Sequence, residues 1–330
     1  MFKAPSFWQK KSFLSYVLLP VAWIYLKISR LKMRSVRSYK LSKPVICVGN
    51  LVMGGAGKTP TVIALVAMLK KMGHTPHILS RGYGAIVKGL QKVDPERHHY
   101  LEVGDEPLML SQFAPTWVCP NRIKAGKAAI KNGATVLIMD DGFQNKALEK
   151  DLNLLVVDSI QGFGNKEVFP AGPLREPVTS GLNRADAVFF IGGGKASTAK
   201  KASSLGVEHA FKASFINLTE PVQRGERVLA FSGIGYPEKF RLTLKRAGYK
   251  LVEFASFADH YPYTIVDMDR LLKAAELKKA QLITTSKDFI RIPTPYKENV
   301  QVFKINLQFE QPEQVEELLE RVVPFNESVF

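Results

Sequence analysis

The fifteen residues Val45 to Thr59, VICVGNLVMGGAGKT, constrain this chain most: an apolar run enters a glycine-rich loop, ends in Lys-Thr and continues as a helical pattern. Strand, loop and helix in that order describe one unit of a parallel sheet covered by helices. Gly54, Gly55 and Gly57 flank the small Ala56, so backbone N–H groups can curl around phosphate oxygens. Lys58 then adds a point charge, and Thr59 a hydroxyl for Mg²⁺. The common spacing GxxxxGK[ST] would need glycine at Val52, and the variant KGGxGKT would need lysine at Met53, so the loop is a GGxGKT subtype. A plain glycine-rich turn is the competing reading. Against it, Val62, Leu65, Val66 and Leu69 share one helical face and Gly73 supplies a stop. An ATP or GTP site is the leading expectation.

Charge is distributed unevenly. No Asp or Glu precedes Asp94, while residues 1–93 hold 16 Lys and Arg; in the remainder, 30 basic residues balance all 30 acids. The whole net charge of +16 therefore lies in the first 93 residues of 330. Such polarity predicts one region facing an anionic partner. Phe13 to Ile28, FLSYVLLPVAWIYLKI, is apolar and aromatic, with Lys3, Lys10 and Lys11 before it and Arg30, Lys32, Arg34, Arg37, Lys40 and Lys43 after it. This run is shorter than the roughly 20 residues that span a bilayer, and Pro20 interrupts it. It reads as a monotopic anchor, with Trp8, Tyr16, Trp23 and Tyr25 suited to the headgroup layer. A signal peptide and a buried core helix are the rivals; no small-residue cleavage site follows the run. The basic stretch matches no nucleic-acid module, and no protein partner is evident. Cys47 and Cys119 lie in separate apolar segments and read as reduced, buried thiols.

After the anchor, apolar runs at 45–48, 76–79, 116–119, 136–139, 152–157 and 187–191 alternate with helical or loop segments, while the polar Gly-rich piece Ile191 to Ser204 reads as loop or weak helix. Segments 228–231, 238–247, 251–254, 268–275 and 281–285 repeat strand, helix, strand, helix, strand. Ala210 to Leu218 and Val300 to Phe309 alternate apolar and polar residues and predict a two-stranded bridge, after which a helix from Pro312 to Val323 rejoins the first domain. The expected fold is α/β, with a P-loop NTPase-like, mostly parallel sheet domain and a second, smaller α/β domain joined by a two-stranded linker. Its boundaries are 1–43 for a basic membrane-associating segment, 44–215 for the P-loop domain completed by 308–330, and 216–307 for the smaller domain.

Several groups could do chemistry. TVLIMDDGFQ delivers Asp140 and Asp141 at the end of an apolar strand, where open α/β sheets bind ligands. Both are Mg²⁺ candidates with Gln144 as a polar neighbour, although Asp-Asp-Gly also makes turns. In GDEP, Asp105 reads either as a helix cap or as a base that accepts a proton from an attacking hydroxyl. FADHYPY holds His260, which would tune Asp105 if the two meet across a domain cleft; a packing or surface histidine is the plainer reading. FPAGPLREP ends in Arg175, suited to neutralising a transferred phosphoryl group, and Glu176, which could reach Mg²⁺; a surface ion pair is the alternative. Arg81 and Arg122 are weaker phosphate candidates.

Taken in order, GNLVMGGAGKTP, SRGYG, GDEP, MDDGFQ, GPLREP and FADHYPY resemble the tetraacyldisaccharide 4′-kinase (lipid A 4′-kinase) family over nearly the whole chain. The resemblance implies an ATP-dependent P-loop kinase with a basic membrane-binding N-terminus at the cytoplasmic face of the inner membrane. Its acceptor would be the 4′-hydroxyl of an acylated disaccharide phospholipid. It also implies Asp105 as catalytic base assisted by His260, Lys58 and Thr59 at phosphate and Mg²⁺, Asp140, Asp141 and Gln144 near the metal, and Arg175 with Glu176 at the phosphates. TTSKD at 284–288 departs from the family pattern, with Ser286 where an acid is expected. The alternative class is a membrane-associated nucleotide-switch ATPase of the GGxGKT type, against which Met53 and the lack of NKxD weigh.

Overall fold

Residue alternation along the strands explains why the larger sheet is covered on both faces. The computed structural model describes residues 5–86, 88–192, 207, 209–219 and 225–325. Among them the strands are β1 (Val45–Gly49), β2 (Pro76–Ser80), β3 (Gln91–Lys92), β4 (Thr116–Val118), β5 (Val136–Asp140), β6 (Leu152–Asp158) and β7 (Ala187–Ile191). They continue with β8 (Ala210–Asn217), β9 (Arg227–Ser232), β10 (Lys250–Ser256), β11 (Gln281–Thr285), β12 (Val300–Phe303) and β13 (Ile305–Phe309). Every residue of β1, β2, β5 and β7 is buried. In β1, Ile46 and Val48 enter one core, and Val45 and Cys47 enter the other; in β5, Ile138 and Leu137 divide in the same way. A strand buried on both faces needs no polar alternate positions, which is why these runs are continuously apolar.

The helix Lys58–Lys71 covers the first core with Val62, Leu65, Val66 and Leu69, while Arg122–Lys131 covers the second with Ala125 and Ala129. Each fully buried branched aliphatic side chain of that first helix contributes roughly 1.5–3 kcal/mol. Both thiols lie in the second core as free cysteines, and burial pushes the Cys47 thiol up to about 12. Both are buried and pack as small apolar residues.

Two sheets form among the described residues. The larger has the order β13-β8-β7-β6-β1-β5-β2-β4-β3, and the smaller β10-β9-β11-β12. Pairings from β8 through β4 are parallel, β3 joins antiparallel, and all pairs of the smaller sheet are parallel. β1 stands where strand order reverses: the chain moves from it to β2 on one side and later to β6 on the other. By contacts the chain divides into two compact units, the smaller of Ile216–Asn306 with His99–Leu101, the larger of Ala4–His98, Glu102–Phe215 and Leu307–Phe330.

Three expectations are refined. The run Val300 to Phe309 is two strands separated at Lys304, with β12 in the small sheet and β13 beside β8 in the large one. The closing helix stops at Glu320 rather than Val323. Gly104, at φ 94°, takes the helix cap position, and Asp105 is the first helical residue. Of the predicted loop after Ile191, residues 193–204 lie outside the described residues.

The N-terminal apolar run is not a core helix. It forms two helices, Phe13–Val17 and Leu19–Arg34, with Pro20 in the first turn of the second, where its missing N–H costs nothing. Phe13 is 84% exposed and Trp23 58%, and Tyr16, Ile24, Ile28 and Leu31 are also exposed. Within the second helix only Ala22 is buried. Among the described residues no helix is long and apolar enough to cross a membrane. The segment is held down by its edges: Trp8 Nε1 donates to Pro170 O at 3.1 Å, Trp8 and Tyr25 meet Phe169 edge-on, and Lys11 pairs with Glu167 at 2.7 Å.

Candidate active site

β1 and β5 are neighbours with Val48 opposite Asp140, so the glycine loop and the Asp-Asp pair leave the same sheet edge side by side. That edge lies at the carboxyl ends of parallel strands beside the reversal of strand order, the usual ligand position in this architecture. The loop enters its helix through Gly57 at φ 96°, a left-handed conformation that strains any side chain. No side chain caps the helix, leaving its first N–H groups available to an anion. Thr59 lies in that first turn.

The segment Pro173–Arg175 runs along the loop and fixes it. Met53 N donates to Pro173 O and Arg175 N to Leu51 O, each at 2.8 Å, with Val52 and Leu174 forming an antiparallel bridge between them. This ladder brings GPLREP to the loop and aims the Arg175 guanidinium at Asp141. Arg175 Nη1 lies 2.8 Å from Asp141 Oδ1 and Nη2 3.1 Å from Oδ2, a two-pronged pair. Lys58 Nζ lies 3.4 Å from the same carboxylate and 3.1 Å from Asn50 Oδ1.

The two aspartates consequently differ. Burial alone would raise the Asp141 pKa, but Lys58 and Arg175 outweigh it and hold the carboxyl below its ordinary range. Asp140, only 5% exposed, is pushed up to about 7, first by burial and then by the charge of Asp141, with Glu106 adding to the rise. Its Oδ1 is buried without a hydrogen-bond partner. An orphaned carboxylate oxygen at a nucleotide loop has the hard-donor chemistry Mg²⁺ requires, so Asp140 fits that ion better than Asp141, whose oxygens already face two cations. Lys58 itself is pulled below its ordinary value by burial, against the pull of Asp141.

Gln144 links these parts. Its Nε2 donates to Asn50 O at 3.0 Å and to Glu176 Oε1 at 3.1 Å, and its Oε1 accepts from Arg175 at 3.3 Å. Glu176 Oε1 also accepts from Arg184 Nη2 at 2.8 Å. The sequence-derived metal candidates thus divide by surroundings: Thr59 and Asp140 belong to the loop edge, while Asp141, Gln144 and Glu176 hold Arg175 and Arg184. Arg122, one of the weaker phosphate candidates, is buried, donates to Cys119 O at 2.8 Å and is pushed down to about 10 by burial. Asp105 is buried, and its Oδ1 accepts the Glu106 N–H at 3.1 Å. His260 belongs to the smaller unit and has φ 57°.

Sequence reasoning missed Asn50 and Arg184. Asn50 is fully buried, its Nδ2 donating to Gly54 O while Oδ1 receives Lys58, so it braces the loop from inside. A polar residue at the end of an apolar strand was the available signal. Arg184 lies beyond every motif, and only the folded chain brings it to Glu176.

The tetraacyldisaccharide-1-P 4′-kinase (LpxK) family model matches residues 14–324. The chain belongs to that family. The tetraacyldisaccharide 4′-kinase of Paramagnetospirillum magneticum is 44% identical over 321 residues, covering 97% of this chain and 98% of the relative. That of Rhodospirillum centenum is 42% identical over 324 residues, covering 96% of each. Among solved structures, LpxK from Aquifex aeolicus in complex with ATP superposes with a TM-score of 0.74 at 29% identity, covering 95% of this chain and all of that one. The fold is accordingly that of a P-loop kinase.

Proposed function

We propose that this chain transfers the γ-phosphoryl group of ATP to the 4′-hydroxyl of a tetraacylated glucosamine disaccharide 1-phosphate, a step of lipid A synthesis. The observation that carries this reading is the convergence of Lys58, Asp140 and the Arg175–Asp141 pair on one sheet edge of a chain belonging to the 4′-kinase family. Phosphoryl transfer asks chiefly for positioning and for neutralisation of charge on the equatorial oxygens. Loop N–H groups and Lys58 hold the β- and γ-phosphates, and Arg175 leaves one prong of Asp141 to meet the transferring group. The sugar hydroxyl oxygen bonds to the γ-phosphorus as the bond to the β,γ-bridging oxygen breaks; ADP departs, and the hydroxyl proton goes to Asp105. Mg²⁺, when bound, neutralises β- and γ-phosphate charge, with Thr59 and Asp140 as the residues to hold it.

The decisive experiment incubates purified protein with γ-labelled ATP and the disaccharide lipid. Label on the lipid is expected; label released only as free phosphate would support a nucleotide switch instead. Asp105→Asn should lower kcat ~10²-fold with nucleotide affinity retained, because a carboxamide cannot take the proton. Equal turnover in variant and parent would remove Asp105 from the base role.

The exposed face of residues 13–31 serves an anionic membrane surface at the cytoplasmic side of the inner membrane, bringing the loop edge to the acceptor's headgroup while its acyl chains stay in lipid. Lys27 lies over the Trp23 ring, 3.7 Å from its centroid, pairing an interfacial aromatic with a cation. Replacing Trp23 and Ile24 together by Glu should weaken sedimentation with anionic vesicles about tenfold or more. Undiminished sedimentation would refute the assignment.

A further inference from the structure

Residues 163–175 form a brace between the N-terminal segment and the nucleotide loop, all within the larger unit. Toward the N-terminal segment, Asn165 N donates to Trp8 O at 2.8 Å, and Trp8 Nε1 donates back to Pro170 O at 3.1 Å. Asn165 is 5% exposed, and its Nδ2 lies 3.0 Å from Phe7 O, 2.9 Å from Ala171 O and 3.3 Å from the Oγ of buried Ser15. Its amide hydrogens thus tie the N-terminal segment to the brace, while Oδ1 accepts Glu167 N at 3.0 Å. Ser15 is the buried residue of the helix Phe13–Val17, whose Phe13, Tyr16 and Val17 are exposed, so one short helix carries both part of this seat and part of the apolar face. Toward the nucleotide loop, Pro173 O accepts Met53 N and Arg175 N donates to Leu51 O.

The brace has little room to adjust between these ends. Phe169 N donates to Leu174 O at 2.8 Å, Gly172 N to Val168 O at 3.1 Å and Leu174 N to Glu167 O at 3.1 Å, closing the segment on itself. A Cβ on Gly172 would fall 2.1 Å from Asn165 Oδ1, and one on Gly164 would fall 2.4 Å from Trp8 O and 2.7 Å from Pro173 Cγ. At Gly164, then, the N-terminal backbone and the first residue of the ladder on the nucleotide loop approach with no space for a methyl group between them. Contacts this close transmit displacement, because packed groups rearrange between discrete positions rather than compress. A shift of Trp8 therefore reaches Pro173, and through it Met53 and the Arg175 guanidinium that faces Asp141.

We propose that Asn165 is a positioning residue for Arg175 and the nucleotide loop, and that the N-terminal segment, seated on it through Phe7, Trp8 and Ser15, helps set nucleotide affinity. The proposal rests on the P-loop reading for its ligand and on the geometry for the seat. Two states are involved, with the N-terminal segment seated or released. The seated state holds the ladder in place and so presents a preformed loop to the phosphates, whereas in the released state nucleotide must order the loop as it binds. Coupling of this kind is reciprocal: nucleotide favours the seated segment by the same factor by which the seated segment favours nucleotide. Because the exposed apolar face belongs to that segment, binding of nucleotide and binding to a lipid surface become linked.

The test uses full-length protein and the non-hydrolysable analogue AMPPNP with Mg²⁺. In titration calorimetry without lipid, Asn165→Ala should raise the Kd for the analogue ~10-fold, although Asn165 lies outside the phosphate loop. In sedimentation with phosphatidylglycerol–phosphatidylcholine vesicles, saturating analogue should tighten binding of the parent severalfold, and Asn165→Ala should abolish that dependence. A brace that served stability alone would lower the thermal midpoint and move neither reading. Parental affinity for the analogue in folded Asn165→Ala overturns the proposal, as does vesicle binding by the parent that ignores the analogue. Where Asn165→Ala does not fold, Trp8→Ala decides in the same two assays: a raised Kd with lost nucleotide dependence supports the proposal, and parental values overturn it. A parent that binds no analogue overturns the nucleotide reading and this proposal together, whereas parental binding left unchanged by the variants overturns the proposal alone.

Discussion

Lys58→Met should lower phosphoryl transfer to the disaccharide lipid by ~10³-fold, a larger loss than that expected of Asp105→Asn. The reason lies in what surrounds the amine. Burial pulls its pKa down, and the structure offsets that by setting Nζ 3.4 Å from Asp141 and 3.1 Å from Asn50 Oδ1. A charge kept in a poorly solvated place acts with little screening on anything that enters beside it. Methionine fills the same space and cannot donate, so the transferring phosphate loses a charge and a hydrogen bond together. Asp141 would retain Arg175 through its two-pronged contact, and the guanidinium would be drawn more tightly to the carboxylate and away from the phosphates. The effect therefore exceeds the loss of one contact. It is measured as kcat/KM with the lipid acceptor, alongside a thermal scan to show that the variant is folded; turnover within tenfold of the parent would contradict the loop's role.

How much of this site could be seen in the sequence depended on whether its parts are local or assembled. The loop was legible because strand, glycines, Lys58 and helix are contiguous, and phosphate chemistry needs them at fixed spacing. Asp140 and Asp141 were legible because an apolar strand ends in them. Their difference was not: Asp141 faces Lys58 and Arg175, and Asp140 is left with a partnerless buried oxygen, only after β1 and β5 pair and Pro173–Arg175 docks along the loop. Asn50 escaped notice because a single Asn after an apolar run reads equally as a turn residue. The strands of the large sheet were clear from their unbroken apolar runs. The division of Val300 to Phe309 was hidden because the alternation continues through Lys304, so nothing in the pattern marks where one sheet ends and the next begins.

The largest expected loss of stability comes from Asp288→Ala, at about 3–5 kcal/mol, because it removes the buried carboxylate with which the Arg291 guanidinium pairs. Arg291 is 2% exposed and the Asp288 carboxylate is fully buried. Replacing a buried ion pair as a whole by apolar residues is often neutral, since desolvation cancels much of the attraction. Here that compensation is incomplete, because Asp288 also accepts from Gly233 N, Tyr263 Oη and Thr285 Oγ1, all of which would be left to find other partners. The double variant Asp288→Ala with Arg291→Leu should thus recover only part of the loss. For a unit of this size, each kcal/mol moves the thermal midpoint by roughly 4–8 °C, so the single variant should lower the small unit's transition by about 15 °C or more. The network's location decides which transition moves. It lies wholly within the smaller unit, whose core is built from Leu229, Phe231, Met268 and Leu282, whereas the larger sheet has its own two cores. Calorimetry should show a low-temperature transition separating from one that stays near the parental value. A single transition shifted by less than about 3 °C would mean that the Asp288 network contributes little beyond the hydrophobic packing around it.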